Sequence, residues 1–236
     1  MKENKQNNED FTLLAKELWD RVYTQVPVEA LLSLNLLKDD IIKNEIDGDI
    51  VECGAWRGGC VIYLANIFSD KTIWAIDSFE GFQKVGDSDY PVFENEVHTP
   101  DIHKKLDGSI YIRGAKSFVI TQDEFIENLK TYGLDNNKRI KIIKGFVNKV
   151  LKPNVCKIEK ISLLRVDVDA YSATKEVLVN LYDKVSVGGY IVFDDYGVPS
   201  AERAIHDFMN DRKIKLNLEF PINGKTEYAI FKKTDI

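Results

Sequence analysis

Hydrophobic positions along the chain change their period, and each change marks an element. Leu31, Leu32, Leu34, Leu36, Leu37, Ile41 and Ile42 recur at helical spacing, predicting a helix over 28–44. Pro27 suits its first turn. A shorter amphipathic helix is predicted over 11–23, and the polar residues 1 to about 9 read as a frayed tail. From Ile50 onward short apolar runs alternate with helical patterns. Strands are predicted at 49–53, 72–77, 141–144, 161–167 and 190–194, and helices at 61–68, 121–132, 173–184 and 200–211. Gly133 suits the end of the 121–132 helix, and Gly188-Gly189 is read as the turn that closes the 173–184 helix. Two late strands near 214–219 and 226–232 read as a terminal hairpin around 222–225. The stretch 78–118 has no period, and a loop of that length is functional or mobile.

Alternating strands and helices imply an α/β fold: a mainly parallel sheet covered on both faces. Ligands in such sheets bind beyond the carboxyl ends of the strands. At about 150 residues per domain, 236 residues suit one large domain. The expected division is a tail and helical cover over 1–45 and the α/β domain over 46–236, with an insertion at about 78–118. A hydrophobic content of 44% supports a real core. The net charge of −6 argues against a nucleic-acid partner. Cys53, Cys60 and Cys156 form no CxxC pair, which argues against a disulfide scaffold or zinc cluster. The polar start is no signal peptide, and no run reaches the roughly 18 apolar residues of a membrane span. A soluble, cytoplasmic protein with no membrane partner is expected.

Chemistry enters at the first strand end. Glu52-Cys53-Gly54-Ala55-Trp56-Arg57-Gly58-Gly59 follows a strand and opens a helix, where small residues allow close backbone approach to a ligand. The pattern lacks the second glycine of a dinucleotide fingerprint, which argues against NAD. The wider loop suits a cofactor without phosphates, such as S-adenosylmethionine. Asp77 closes the second strand 23 residues after Gly54, the distance expected for a carboxylate that accepts ribose hydroxyls. At the fourth and fifth strand ends, Asp167, Asp194 and Asp195 are placed to converge. Clustered carboxylates repel unless neutralised, and Mg²⁺ is the hard cation that suits them. Bound there, it would acidify a substrate hydroxyl.

These motifs resemble the macrocin O-methyltransferase family, the S-adenosylmethionine-dependent sugar O-methyltransferases of antibiotic pathways. The matching segments are 51–59, 77–82, 132–134, 144–146, 164–171 and 188–197. The resemblance implies a class I methyltransferase (Rossmann-like) fold: a seven-stranded, mainly parallel sheet with a terminal antiparallel strand, plus N-terminal helices. It implies cofactor contacts from Glu52, Gly54, Arg57, Gly58, Asp77, Ser78 and Gly145. Asp167, Asp194 and Asp195 match its metal ligands, and Asp167 matches its proposed general base. The implied acceptor is a sugar-containing small molecule. Two departures bear on that acceptor. In Val168-Asp169-Ala170-Tyr171-Ser172, Val168 stands where the family usually has Gly and the acidic residue after Tyr is missing, and Asn148 stands in a segment that usually carries an acidic residue. The other class of reading is a non-catalytic S-adenosylmethionine-binding or interaction protein of the same fold.

The remaining candidates are weaker. His98, His103 and His206 are expected to be surface histidines. Trp56 and Arg57 either pack on the cofactor or pin the N-terminal helices. Tyr171 and Tyr196 either shape an acceptor pocket or are partly buried aromatics. Phe79 and Phe82 either wall the adenine or belong to a flap. The apolar N-terminal helices, with the family resemblance, point to a homo-oligomer.

Overall fold

The computed structural model describes residues 2–82, 102–104, 110–112, 119–222 and 228–234. The elements along the chain are helices α1 (Lys2–Asp20) and α2 (Val28–Lys43), strand β1 (Asp49–Cys53), α3 (Gly59–Ile67) and β2 (Ile73–Asp77). After them come the short strands β3 (Ile102–Lys104) and β4 (Ile110–Ile112), then α4 (Gln122–Thr131), β5 (Ile140–Lys144) and α5 (Val147–Val150). The chain continues through β6 (Ile161–Val166), α6 (Tyr171–Leu181), β7 (Val185–Phe193), α7 (Pro199–Asp211), β8 (Leu218–Glu219) and β9 (Ala229–Lys232).

Seven strands form one sheet in the order β5-β2-β1-β6-β7-β9-β8. The five from β5 to β7 pair in parallel. Only β9 runs the other way, against both β7 and β8. This is the expected class I arrangement. β6 is buried at every position, as a strand covered on both faces must be. Alternate residues divide between two apolar layers. Ile50, Leu163 and Val192 face a layer built from α1, α2, α3 and α4. Val51, Leu164 and Ile191 face α6 and α7.

The parallel register aligns the carboxyl ends of five strands. Cys53 lies beside Ile76 and Val166, Asp77 beside Lys144, and Val166 beside Phe193. The next residue of each strand therefore emerges on one edge: Gly54, Ser78, Gly145, Asp167 and Asp194.

Four features depart from the expectation. α1 starts at Lys2, so residues 2–9 continue the helix instead of fraying, and it ends at Asp20 before the expected 23. Val22, at φ 57°, turns the chain out of it. Gly188-Gly189 does not close a helix; both lie inside β7. There the pairing with β6 jumps from Ile161↔Val185 to Leu163↔Tyr190, so the glycines form a bulge, and Gly188 takes φ +84°. The two late strands span only Leu218–Glu219 and Ala229–Lys232, short of the expected 214–219 and 226–232, and the turn at 223–225 lies outside the described residues. Within the expected loop 78–118, β3 and β4 pair antiparallel; His98 lies outside the described residues.

α2 is tied to the far end of the sheet. Asp40 Oδ2 accepts hydrogen bonds from Tyr190 Oη at 2.6 Å and Lys232 Nζ at 2.7 Å. The link between α1 and α2 sits on the first turn of α3, where the Gly59 N–H donates to the Tyr23 carbonyl at 2.8 Å. A Cβ at Gly59 would lie 2.5 Å from that oxygen, so only glycine lets the two segments meet. Among the described residues no helix is long and apolar enough to cross a membrane.

Candidate active site

A cleft of about 380 Å³ opens along the carboxyl edge of the sheet, lined by Glu52, Gly54, Asp77, Ser78, Gly145, Asp167, Asp194 and Asp195 among others. Eight of the sequence-chosen positions thus meet in one cavity. Arg57 and Gly58 do not line it. Arg57 reaches the Val22 carbonyl at 3.4 Å and covers the Trp56 ring at 4.8 Å, so it pins the N-terminal link. Gly58 caps α3 at φ +85°, and a Cβ there would meet the Phe125 ring at 2.8 Å.

Two halves of the cleft are built differently. At the β2 end, Asp77 Oδ2 accepts the Trp56 N–H at 2.8 Å and Oδ1 accepts the Phe79 N–H at 2.7 Å. Each oxygen keeps a further lone pair, so the carboxylate can still accept two hydroxyls. Burial pushes its pKa up, while those backbone donors oppose the rise. Trp56 and Phe79 hold positive φ values of 42° and 54°. Such strain persists only where the surroundings impose it. Ser78 Oγ donates to the Gly81 carbonyl at 2.7 Å and closes the same turn. Phe79 is buried against Phe125, with ring centroids 5.4 Å apart, whereas Phe82 lines the cleft.

At the β6 and β7 ends, charge dominates. Oxygens of Asp167, Asp194 and Asp195 lie within 4.8 Å of one another. Arg165 sits beneath them with 1% of its side chain exposed. Its guanidinium lies 2.5 Å from Glu52, 2.8 Å from Asp167 and 2.5 Å from Asp194. The Glu52 contact follows from register, because Glu52 and Arg165 are opposite one another on adjacent strands. The Asp194 contact is ionic and not aligned as a hydrogen bond, so Asp194 Oδ1 stays buried without a hydrogen-bond donor. Burial works against the Arg165 charge, but Asp194, Asp167 and Glu52 outweigh it and hold its pKa well up.

One guanidinium cannot neutralise this cluster. Burial, then repulsion from Asp194 and Asp169, drives the Asp167 pKa well above the ordinary carboxylate range, even against Arg165. Burial and repulsion from Asp169, Asp167 and Asp194 do the same to Asp195. Glu52 is raised by burial too. Three convergent hard oxygen donors, with more negative charge than one guanidinium balances, fit a divalent cation such as Mg²⁺, completed by water or substrate oxygens.

Sequence reading passed over Arg165, although a lone charge inside an apolar strand signals buried partners. It also passed over Gln25 and Glu176, which line the cleft from the α1–α2 link and from α6. His206 accepts or donates at 2.8 Å with Tyr196 Oη and stands half-exposed on α7, outside the cleft lining. Tyr171 donates to Asp207 at 2.9 Å and also stands away from the lining.

Residues 2–228 match the family described as Macrocin-O-methyltransferase (TylF). The chain belongs to this family. As a macrocin O-methyltransferase family member it is an S-adenosylmethionine-dependent O-methyltransferase. It is 26% identical over 213 residues to the mycinamicin III 3''-O-methyltransferase of Micromonospora griseorubida, covering 88% of this chain and 76% of that one. To the demethyldecarbamoylnovobiocin O-methyltransferase of Streptomyces niveus it is 30% identical over 192 residues, covering 79% and 67%. Among solved structures, the O-methyltransferase NovP superposes with a TM-score of 0.74 at 27% identity, covering 90% of this chain and 83% of that one. The calicheamicin methyltransferase CalS11, at 17% identity and a TM-score of 0.56, shares the fold.

Proposed function

We propose that this macrocin-family enzyme methylates a hydroxyl of a sugar or sugar-containing small molecule, with Mg²⁺ held by Asp167, Asp194 and Asp195. The convergence of those three carboxylates beside the cofactor cleft carries the reading. Relatives named for mycinamicin, novobiocin and tetracenomycin-glycoside methylation supply the acceptor class. When bound, S-adenosylmethionine supplies an electrophilic methyl group, and Mg²⁺ lowers the pKa of an acceptor hydroxyl.

The chain's own residues do the rest. Gly54 and Gly145 let the backbone approach the cofactor, and Asp77 accepts the ribose hydroxyls. Ser78 holds the turn beside it. Glu52, buried with one oxygen lacking a partner, faces the cofactor's positive end. Asp167 would take the acceptor's hydroxyl proton at a carboxylate oxygen as the bound cofactor supplied its methyl group, and would pass that proton to solvent. Arg165 holds Asp167 from below at Oδ2, which fixes where that proton is received. Most of the acceleration then comes from positioning and electrostatics.

The test is transfer of a labelled methyl group to a panel of sugars, nucleotide-sugars and glycosides, run with Mg²⁺ and again with chelator. Turnover on at least one glycosidic acceptor, abolished by chelation and restored by Mg²⁺, is expected. Full turnover under chelation sinks the metal assignment, and methylation of only non-sugar hydroxyls sinks the acceptor class.

A further inference from the structure

Buried polar atoms without partners are rare in folded proteins, and each calls for an explanation. Several of those in this chain lie in residues that line the cleft, and Gln25 is the extreme case. Both ends of its amide, Nε2 and Oε1, are buried with no hydrogen-bond partner among the described residues. A glutamine side chain with both ends of its amide buried and unpaired is costly. Methionine or leucine would fill the space without that cost.

Its place along the sheet edge indicates what it meets. The β5 and β2 ends, with Gly145 and Asp77, suit the nucleoside. The β6 and β7 ends carry the acidic cluster. Between them lie β1 and the first turn of α3, and the α1–α2 link covers that turn. Gly59 bonds the Tyr23 carbonyl there, and the Val26 N–H donates to Thr24 Oγ1 at 3.0 Å, which fixes the backbone on either side of Gln25. Glu52, in β1, lines the same cleft, and its Oε2 is another buried oxygen without a hydrogen-bond partner. A carboxylate and a neutral amide facing one space suit a group with both an ammonium and a carboxylate. The amide can donate to one and accept from the other without adding charge to a cleft that is already too negative.

We propose that Gln25 recognises the amino-acid end of the cofactor, Nε2 donating to its carboxylate and Oε1 sharing its ammonium with Glu52. The proposal rests on the cofactor orientation given above, and it makes the α1–α2 link part of the binding site. Calorimetry without acceptor or metal tests it with two ligands. S-adenosylhomocysteine carries the amino-acid end, and 5′-methylthioadenosine lacks it. In Q25M, S-adenosylhomocysteine affinity is expected to fall by about tenfold to a hundredfold. Affinity for 5′-methylthioadenosine is expected to stay within about twofold, which also reports an intact fold. Q25A is expected to behave in the same way. Unchanged S-adenosylhomocysteine affinity in both variants overturns the role of Gln25, and so does an equal loss for both ligands in both variants. Failure of the wild-type protein to bind either ligand instead overturns the cofactor reading itself, and this proposal with it.

Discussion

The two halves of the cleft stabilise negative charge by opposite means. At the β2 end, one carboxylate, Asp77, is held by two backbone N–H groups and a strained turn. Its geometry is complete before any ligand arrives. At the β6 and β7 ends, three aspartates crowd over a single buried arginine, and their charges are not balanced by the protein. One half is preorganised by hydrogen bonds that belong to the fold. The other is left short of positive charge, which the proposed cation would supply. Binding and chemistry are therefore separable along one sheet edge, and substitutions should affect them separately.

The sharpest separation is expected from D167N. Turnover should fall by about a thousandfold, while S-adenosylmethionine affinity measured by calorimetry stays within about threefold. A comparable loss of cofactor affinity would mean the halves are one unit. G54A strikes the seam between them. Gly54 sits at φ +92°, and an added Cβ would lie 1.6 Å from the Asp167 carbonyl oxygen. Strain and overpacking together should cost roughly 3 kcal/mol in urea unfolding, with both functions lost. D77A is the converse of D167N. It should weaken cofactor binding by about tenfold to a hundredfold, with Mg²⁺ affinity unchanged.

The smallest effect is on stability. Asp167 and Asp195 have folded-state pKa values well above the ordinary 3.8, burial being the main cause. The folded protein therefore binds protons more tightly than the unfolded chain. The sites favour folding least once pH has risen past their raised folded values. A bound cation favours the ionised form and removes that loss. The Tm gain from saturating Mg²⁺ is expected to be a few degrees larger at about pH 8 than at about pH 5. An equal gain at both would show that the cluster is not the cation site.

Most of the sheet was legible because parallel strands and amphipathic helices write different periods into the sequence. Asp77, Asp167, Asp194 and Asp195 were legible because each ends an apolar run, and the register then aligns those ends. Arg165 was harder. Its partners Glu52 and Asp194 are distant in sequence, and only strand order makes them neighbours. Gln25 lay in a link between helices, where nothing local marks a ligand contact. Gly188-Gly189 carried a turn signal, but pairing with both β6 and β9 keeps that stretch in the sheet, and the extra residues became a bulge. Arg57 shared the glycine loop with true cleft residues, and its length carried it away to Val22.

The bridge at Asp40 bears on how the chain comes to be folded. The partners of α2 at this bridge, Tyr190 and Lys232, follow Asp40 by 150 and 192 residues. α1 and α2 can pack on α3 as soon as it is made, but their tie to β7 and β9 must wait for those strands. Pairing across such distances is slow, because a long loop is closed before any contact rewards it. Until then the part of this layer that packs on β6, β7 and β9 is incomplete, and the apolar surface it leaves is open to misassociation.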